Sequence, residues 1–399
     1  MADERPLTMI CLASDEKGGE FMRAAAAQGC KVFLLTQEKL AGYEWPREIL
    51  AGVDYVDMYD RKAVIEHVSY MARGMELDRI VALEEFDVET ASALREHLRL
   101  PGMGDTTARY FRDKLAMRVK TSGAGIPGPR FAHVLNYDRL RAFMAEVPAP
   151  WVLKPRADAS ALGIRKIYDA EQLWRSLDQL GHQQSHCLLE EFVAGDIFHV
   201  DAIVAEREVI FVETHQYCCP ILELMEQGAI FGTFTVERGS ADDLALRELN
   251  RHVIEALGMV RGVTHTEFIK GADGRFYFLE SAARVGGARI TDMIEASTGL
   301  NLWREWASLE IAGEDRPYVL PPHRQDYAGL VASLARQEYP DTGAYDDPEI
   351  VWRLNQRHHA GLIAVSPDQS RVRQLVDSYR ERFKQDFFTH EPPPATARR

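Results

Sequence analysis

Glu267 and Glu280 lie on two strand-like segments, 262–269 (GVTHTEFI) and 275–280 (RFYFLE), joined across Lys270 to Arg275 by a tight Ala-Asp-Gly turn. Two carboxylates on paired strands could share one or two Mg²⁺ ions, whose hard oxygen chemistry also takes phosphate oxygens. The alternative is a pair of unrelated surface charges. Arg284 follows in Glu-Ser-Ala-Ala-Arg, ahead of Gly286 and Gly287, where it would face the same anion. Lys154 ends a short strand-like run, 151–155 (WVLKP), and the small-residue stretch ADASALGI follows, closing on Gly163. A lysine at a strand end beside such a loop could hold a phosphate chain, because backbone N–H groups and a mobile cation both suit that task. The stretch is not GxxxxGK[ST], which excludes the ordinary P-loop by pattern.

Less specific positions surround these. Gly18 and Gly19 read as a tight turn rather than a dinucleotide fingerprint, since there is no GxGxxG. Glu84, Glu85 and Asp87 stand past an expected strand end, at the edge that faces the ligand crevice in an open sheet; a solvated turn is the alternative. Arg109, Arg112, Lys114, Arg118 and Lys120 fall on an expected helix over 106–120, and such a basic face is ordinarily solvated. His199 and His265 sit on expected strands as substrate contacts or satisfied polar residues. His215, Tyr217, Cys218 and Cys219 fall in 213–234, read as a long mixed connection that could line a substrate pocket. Packing is the default for a tyrosine and two cysteines. Arg289, beyond the Gly286–Gly287 turn, is a candidate for a substrate carboxylate.

The elements that must position these residues are readable in outline. Apolar runs at 8–13, 31–35, 53–56 and 79–83 alternate with helical patterns at 18–28, 61–73 and 88–98, which predicts βαβ units and a parallel sheet. The stretch 101–105 (PGMGD) reads as a junction. Strands are expected at 187–193, 197–204 and 208–213, with a helix over 241–257 that Gly258 stops. Further on, Trp303 to Trp306 packs a helix, 327–334, 351–354 and 362–365 read as strands, and 369–383 as a helix. The proline-rich end, 391–399, reads as a disordered tail.

Composition narrows the function. Lys plus Arg number 47 against 61 Asp plus Glu, a formal charge of −14, so the chain is a poor non-specific partner for nucleic acid or anionic membrane. No apolar run reaches membrane-spanning length, the first residues lack a signal-peptide layout, and the five cysteines form no CxxC pair. A reducing, cytoplasmic setting is the simplest expectation.

Taken in order, Asp113–Lys114, Lys154–Pro155, the loop to Gly163, EEFVAGD at 190–196, HTEF at 265–268 and FLESAARVGG at 278–287 resemble the ATP-grasp superfamily over roughly residues 1–320, and within it the carboxylate–amine ligases. The resemblance implies α/β and α+β architecture. An N-terminal parallel-sheet domain (1–105) would precede a two-part grasp domain (106–318) and a small C-terminal α+β domain (319–390). It implies that Lys114 and Lys154 contact phosphates, that Glu190, Glu191, Phe192 and Val193 form the adenine hinge, and that Asp196 binds ribose. Glu267 and Glu280 become metal-binding acids, and Arg284 steadies the transferred phosphoryl group. Implied cofactors are ATP and Mg²⁺, with Mn²⁺ as an alternative. The implied activity joins a small-molecule carboxylate, an amino acid among the options, to an amine through an acyl phosphate, in a homodimer. The alternatives are a carboxylase-like or nucleotide-biosynthesis enzyme that activates bicarbonate or formate, and a non-catalytic ATP-binding regulator. One departure stands out: many members read ExNxR with a metal-binding asparagine, and here Ala282 occupies that position, leaving water or Ser281 to fill the gap.

Overall fold

The computed structural model describes residues 5–158, 163–220, 229–313 and 317–389. Most of the glycine-poor loop after Lys154, part of the 213–234 stretch and the tail 391–399 lie outside the described residues.

Strands β1 (Thr8–Ala13), β2 (Lys31–Thr36), β3 (Gly52–Tyr55) and β4 (Arg79–Ala82) form a parallel sheet in the order β3-β2-β1-β4. All six residues of β1 are buried, as a strand covered on both faces requires. Met9, Cys11 and Ala13 pack with Phe21, Met22 and Ala25 of the helix Gly19–Ala27. Ile10 and Leu12 pack the other way, against Val64 and Val68 of the helix Arg61–Met71 and Ala91 and Leu94 of Val88–Leu98.

A second, antiparallel sheet contains β5 (Phe131–His133), β6 (Trp151–Pro155), β7 (Arg165–Ile167) and β8 (Cys187–Glu191), in the order β5-β8-β6-β7. The largest sheet is antiparallel, with eight strands in the order β13-β12-β9-β10-β11-β14-β16-β15. Its members are β9 (Gly195–Ala205), β10 (Glu208–Tyr217), β11 (Phe231–Thr235), β12 (Gly262–Gly271), β13 (Phe276–Ala282), β14 (Tyr327–Leu334), β15 (Ile350–Arg353) and β16 (His359–Ser366). The C-terminal strands therefore continue this sheet through β11–β14 pairing, and the helix Gln369–Asp386 packs on them. Trp306, on the helix Leu302–Ile311, meets Phe21 edge-on at 5.2 Å and ties the parallel layer to the large sheet.

Two sequence expectations change. The basic stretch 106–120 is two helices, Asp105–Arg109 and Lys114–Gly123, with Asp113 capping the second: its Oδ1 accepts from the backbone N–H groups of Leu115 (3.0 Å) and Ala116 (3.3 Å). The stretch 213–234 is no loop at its ends, because β10 runs to Tyr217 and β11 begins at Phe231.

Candidate active site

A cavity of about 620 Å³ opens where the three sheets meet. Glu85 comes from the end of the parallel sheet, Lys154 and Glu190 from the small antiparallel sheet, Glu267 and Glu280 from the large one, and Lys114 from its capped helix. A separate open depression of about 710 Å³ beside Asn136, Tyr137 and Gln184 holds none of the candidate residues.

Lys114, Lys154 and Arg284 all reach the cavity, and each is paired. Lys154 Nζ lies 2.6 Å from Glu190 Oε2, and Lys114 Nζ lies 3.0 Å from Glu280 Oε2 and donates to the Asp158 carbonyl at 2.7 Å. Arg284 grips Glu85 Oε2 through Nη2 (2.6 Å) and Nε (3.1 Å), while Arg112 Nη1 takes Glu85 Oε1 at 2.7 Å. Burial would raise the Glu85 carboxyl, but Arg284, Arg112 and Lys114 overcome it and hold it at about 2. Glu280 is likewise pushed up by burial and brought below the usual carboxylate range by Lys114 and Lys154. Burial, with the repelling Arg118 and Lys114 charges, lowers the Lys154 ammonium even though Glu190 pulls the other way.

Glu84, Glu85 and Asp87 are thus no solvated turn; they are 3%, 7% and 1% exposed. Asp87 accepts the Ser14 N–H at 2.7 Å, and burial pushes its carboxyl up to about 7.

Register places Glu267 directly across from Glu280, and His265 across from Ala282. Glu267 Oε1 accepts from Tyr217 OH at 3.1 Å and has His265 Nε2 at 3.7 Å. Behind them Asp201 joins His265 Nδ1 (2.9 Å) and His199 Nδ1 (2.7 Å), and His199 Nε2 meets Thr233 Oγ1 at 2.8 Å. The donor atoms of His199, Asp201 and His265 lie within 4.8 Å of one another, but this hydrogen bonding already accounts for the grouping. Burial lowers the His199 imidazole to about 3. At His265 burial acts in the same direction, but Asp201 and Glu267 outweigh it and raise the ring to about 9. Ser281 cannot substitute for an oxygen at position 282: it is 1% exposed and its Oγ is committed to Thr266 Oγ1 at 2.9 Å.

At the other end of the cavity, Glu191, Phe192 and Val193 follow Glu190 along the wall. Arg130 binds the Glu191 carboxylate with both Nε (2.8 Å) and Nη2 (2.9 Å), and Lys166 Nζ sits 3.7 Å from the Phe192 ring centroid. Asp196 is exposed at the start of β9, one residue beyond the cavity lining at Gly195.

The weaker substrate candidates fare differently. His199 and His215 are wholly buried and do not line the cavity, so neither stands as a direct contact; His215 stacks on His199 at 4.6 Å. Arg289 is exposed and turned toward β15 and its neighbours, with Trp352 at 5.9 Å and Gln356 Oε1 at 3.5 Å, and does not line the cavity. Tyr217, assigned by default to packing, is a cavity residue. Cys218 is unsuited to attack, because burial pushes its thiol up to about 12. Arg112 and Arg118 were visible only as members of a basic run; the spacing of Lys114 and Arg118, one helical turn apart, was the signal that they share a face.

A cleft of paired cations and hairpin carboxylates, closed by two antiparallel sheets and a parallel α/β layer, defines a nucleotide-binding protein of the grasp type. The chain belongs to the ATP-grasp superfamily: the ATP-grasp N-terminal domain matches residues 22–102 and the ATP-grasp domain residues 147–292. It is 28% identical over 250 residues to an L-arginine-specific L-amino acid ligase of Bacillus subtilis, covering 61% of this chain and 60% of that one. It is 24% identical over 292 residues to an alanine–anticapsin ligase of the same species, covering 66% and 60%. The chain thus spans about 60% of the length of these curated relatives. The crystal structure of an L-amino acid ligase from Bacillus licheniformis shares the fold, with a TM-score of 0.75 at 16% identity over 97% of this chain and 100% of that one. Among the described residues no helix is long and apolar enough to cross a membrane.

Proposed function

We propose that this protein is an ATP- and Mg²⁺-dependent carboxylate–amine ligase that joins small molecules, amino acids foremost, through an acyl phosphate. The observation that carries this reading is the convergence of Lys114, Lys154 and Arg284 on a cavity that also holds the cross-strand pair Glu267 and Glu280. The names of its relatives support amino acids as the substrate class.

In the proposed reaction a substrate carboxylate oxygen attacks the γ-phosphorus of ATP, the β–γ bridging P–O bond breaks, and ADP leaves. The amine nitrogen then attacks the acyl carbon, the C–O bond to phosphate breaks, and phosphate departs as the nitrogen loses its proton. Such chemistry asks for charge neutralisation more than for a dedicated acid or base. Lys154 and Lys114 are positioned to neutralise the phosphate chain, and Arg284 to steady the transferred group. The buried Glu85 holds Arg284 and Arg112 by ion pairs and so orients the arginine across the domain boundary. Glu267 and Glu280 offer oxygen donors that fit Mg²⁺ or Mn²⁺ and would hold the ion; when bound, it supplies further neutralisation at the phosphates.

The test is a panel of carboxylates crossed against amines, and bicarbonate alone, with ATP and Mg²⁺. The reading expects ADP and phosphate only with a suitable carboxylate, and a product whose mass is the two substrates less one water. AMP and pyrophosphate would refute the acyl phosphate route, and ADP formed with bicarbonate alone would favour the carboxylase-like alternative.

A further inference from the structure

The small antiparallel sheet and the helix Lys114–Gly123 build an unequal ion cluster at the cavity wall, with Lys154 and Glu190 in the lining and Arg118 behind it. Glu190, 3% exposed, is held on one oxygen by Lys154 and on the other by Arg118, whose Nε lies 2.7 Å from Oε1. Two cations thus share one carboxylate. Arg118 is 1% exposed, its guanidinium lies 5.4 Å from the Phe278 ring centroid, and its Nη1 and Nη2 are buried with no hydrogen-bond partner among the described residues. Unpaired guanidinium N–H groups in a closed interior are costly, so their retention needs a reason. Lys154 lines the cavity and Arg118 does not. A nucleotide phosphate can therefore draw away only the lysine.

We propose that Arg118 is a positioning residue for nucleotide binding, which holds Glu190 so that Lys154 can leave it for a phosphate group. When Lys154 turns to the phosphate, Glu190 Oε2 loses its partner on a residue only 3% exposed, where an unpaired carboxylate is strongly disfavoured. Arg118 already grips Oε1, and its spare N–H groups let the guanidinium fork take both oxygens, the arrangement that a planar guanidinium favours with a carboxylate. The adjoining hinge then stays in place while the lysine changes partner. A lysine at position 118 would keep the charge but lack the fork.

This inference rests on the ligase reading only in that ATP binds here, so it is tested by binding alone, without carboxylate or amine. Calorimetry on the full chain compares ATP with adenosine, which has no phosphate to attract Lys154, for wild type, Arg118→Gln and Arg118→Lys. Each variant is expected to weaken ATP by roughly tenfold and to leave adenosine within about twofold. The pair Arg118→Gln with Glu190→Gln, which removes the charge that needs holding, is expected to regain most of the lost ATP affinity. Should Arg118→Gln fail to fold, Arg118→Lys carries the same comparison. Equal weakening of ATP and adenosine would reduce Arg118 to a structural role and overturn the inference, as would ATP affinity unchanged in Arg118→Lys. Wild type that binds no ATP would overturn the ligase reading itself, a result distinct from any difference between variants.

Discussion

Glu280 and Glu267 face each other across a hairpin, yet their surroundings differ, and that difference predicts unequal consequences of neutralisation. Glu280 is ion-paired to Lys114 at 3.0 Å, whereas Glu267 accepts from the Tyr217 hydroxyl at 3.1 Å and has the His265 ring nitrogen farther off at 3.7 Å. Glu280→Gln removes an oxygen charge and also releases Lys114 from its place, so it should cost at least tenfold more activity than Glu267→Gln. Titrating activity against Mg²⁺ for the two variants checks this; equal, small losses would count against the paired-metal hairpin. Asp87 makes a second, pH-dependent case. Its carboxyl is raised to about 7 in the folded protein from an ordinary value near 3.8, so the folded state keeps a proton that the unfolded chain has lost. Stability should therefore fall as pH rises from about 4 to 7, by up to about 1.4 kcal/mol per unit. Asp87→Asn retains an acceptor for the Ser14 N–H and should flatten that slope, which urea denaturation at pH 5 and pH 7.5 would show. An unchanged slope in the variant would move the proton elsewhere.

At the scale of elements, the position of Lys114 depends on where its helix begins. Asp113 caps that helix and is also ion-paired to Arg156 beside β6, with Nε 2.9 Å from Oδ1. Asp113→Ala should cost about 1–2 kcal/mol by denaturant unfolding and weaken ATP binding, while Asp113→Asn should retain most of the cap. Equal stability of wild type and Asp113→Ala would show that the cap does not set the helix start. This break was hidden in the sequence because the basic pattern runs through it without a glycine or proline. The helix Ala241–Leu257 was legible to the residue, since its apolar stripe ends on Gly258, which adopts φ 83° at the stop. β1 and the β12–β13 hairpin were legible for similar reasons, an unbroken apolar run and a strong turn. Strands β5 and β7, of three residues each, are too short to carry a period and were not seen.

Across the whole molecule, the cavity exists only where separate layers meet, and this governs which of its residues could be foreseen. Lys154, Glu267, Glu280 and Arg284 sit on motifs whose spacing is local. The place of Glu85 past a strand end was visible, but its ion pairs with Arg112 and Arg284, 27 and 199 residues away, have no local pattern to announce them. His199 was read on an expected strand and His215 in a connection that proves to be the last part of β10, and the β9–β10 register pairs the two in the interior. The same long-range assembly brings Lys114, Lys154 and Arg284 together with the hairpin carboxylates, and the proposed acyl phosphate follows from that meeting. Its direct test is a single-turnover reaction with a carboxylate substrate labelled with ¹⁸O in both oxygens. The account predicts that released phosphate carries one ¹⁸O atom, transferred when the amine expels it, and that the ligated product retains the other. Unlabelled phosphate alongside ligated product, or label recovered in AMP, would contradict it.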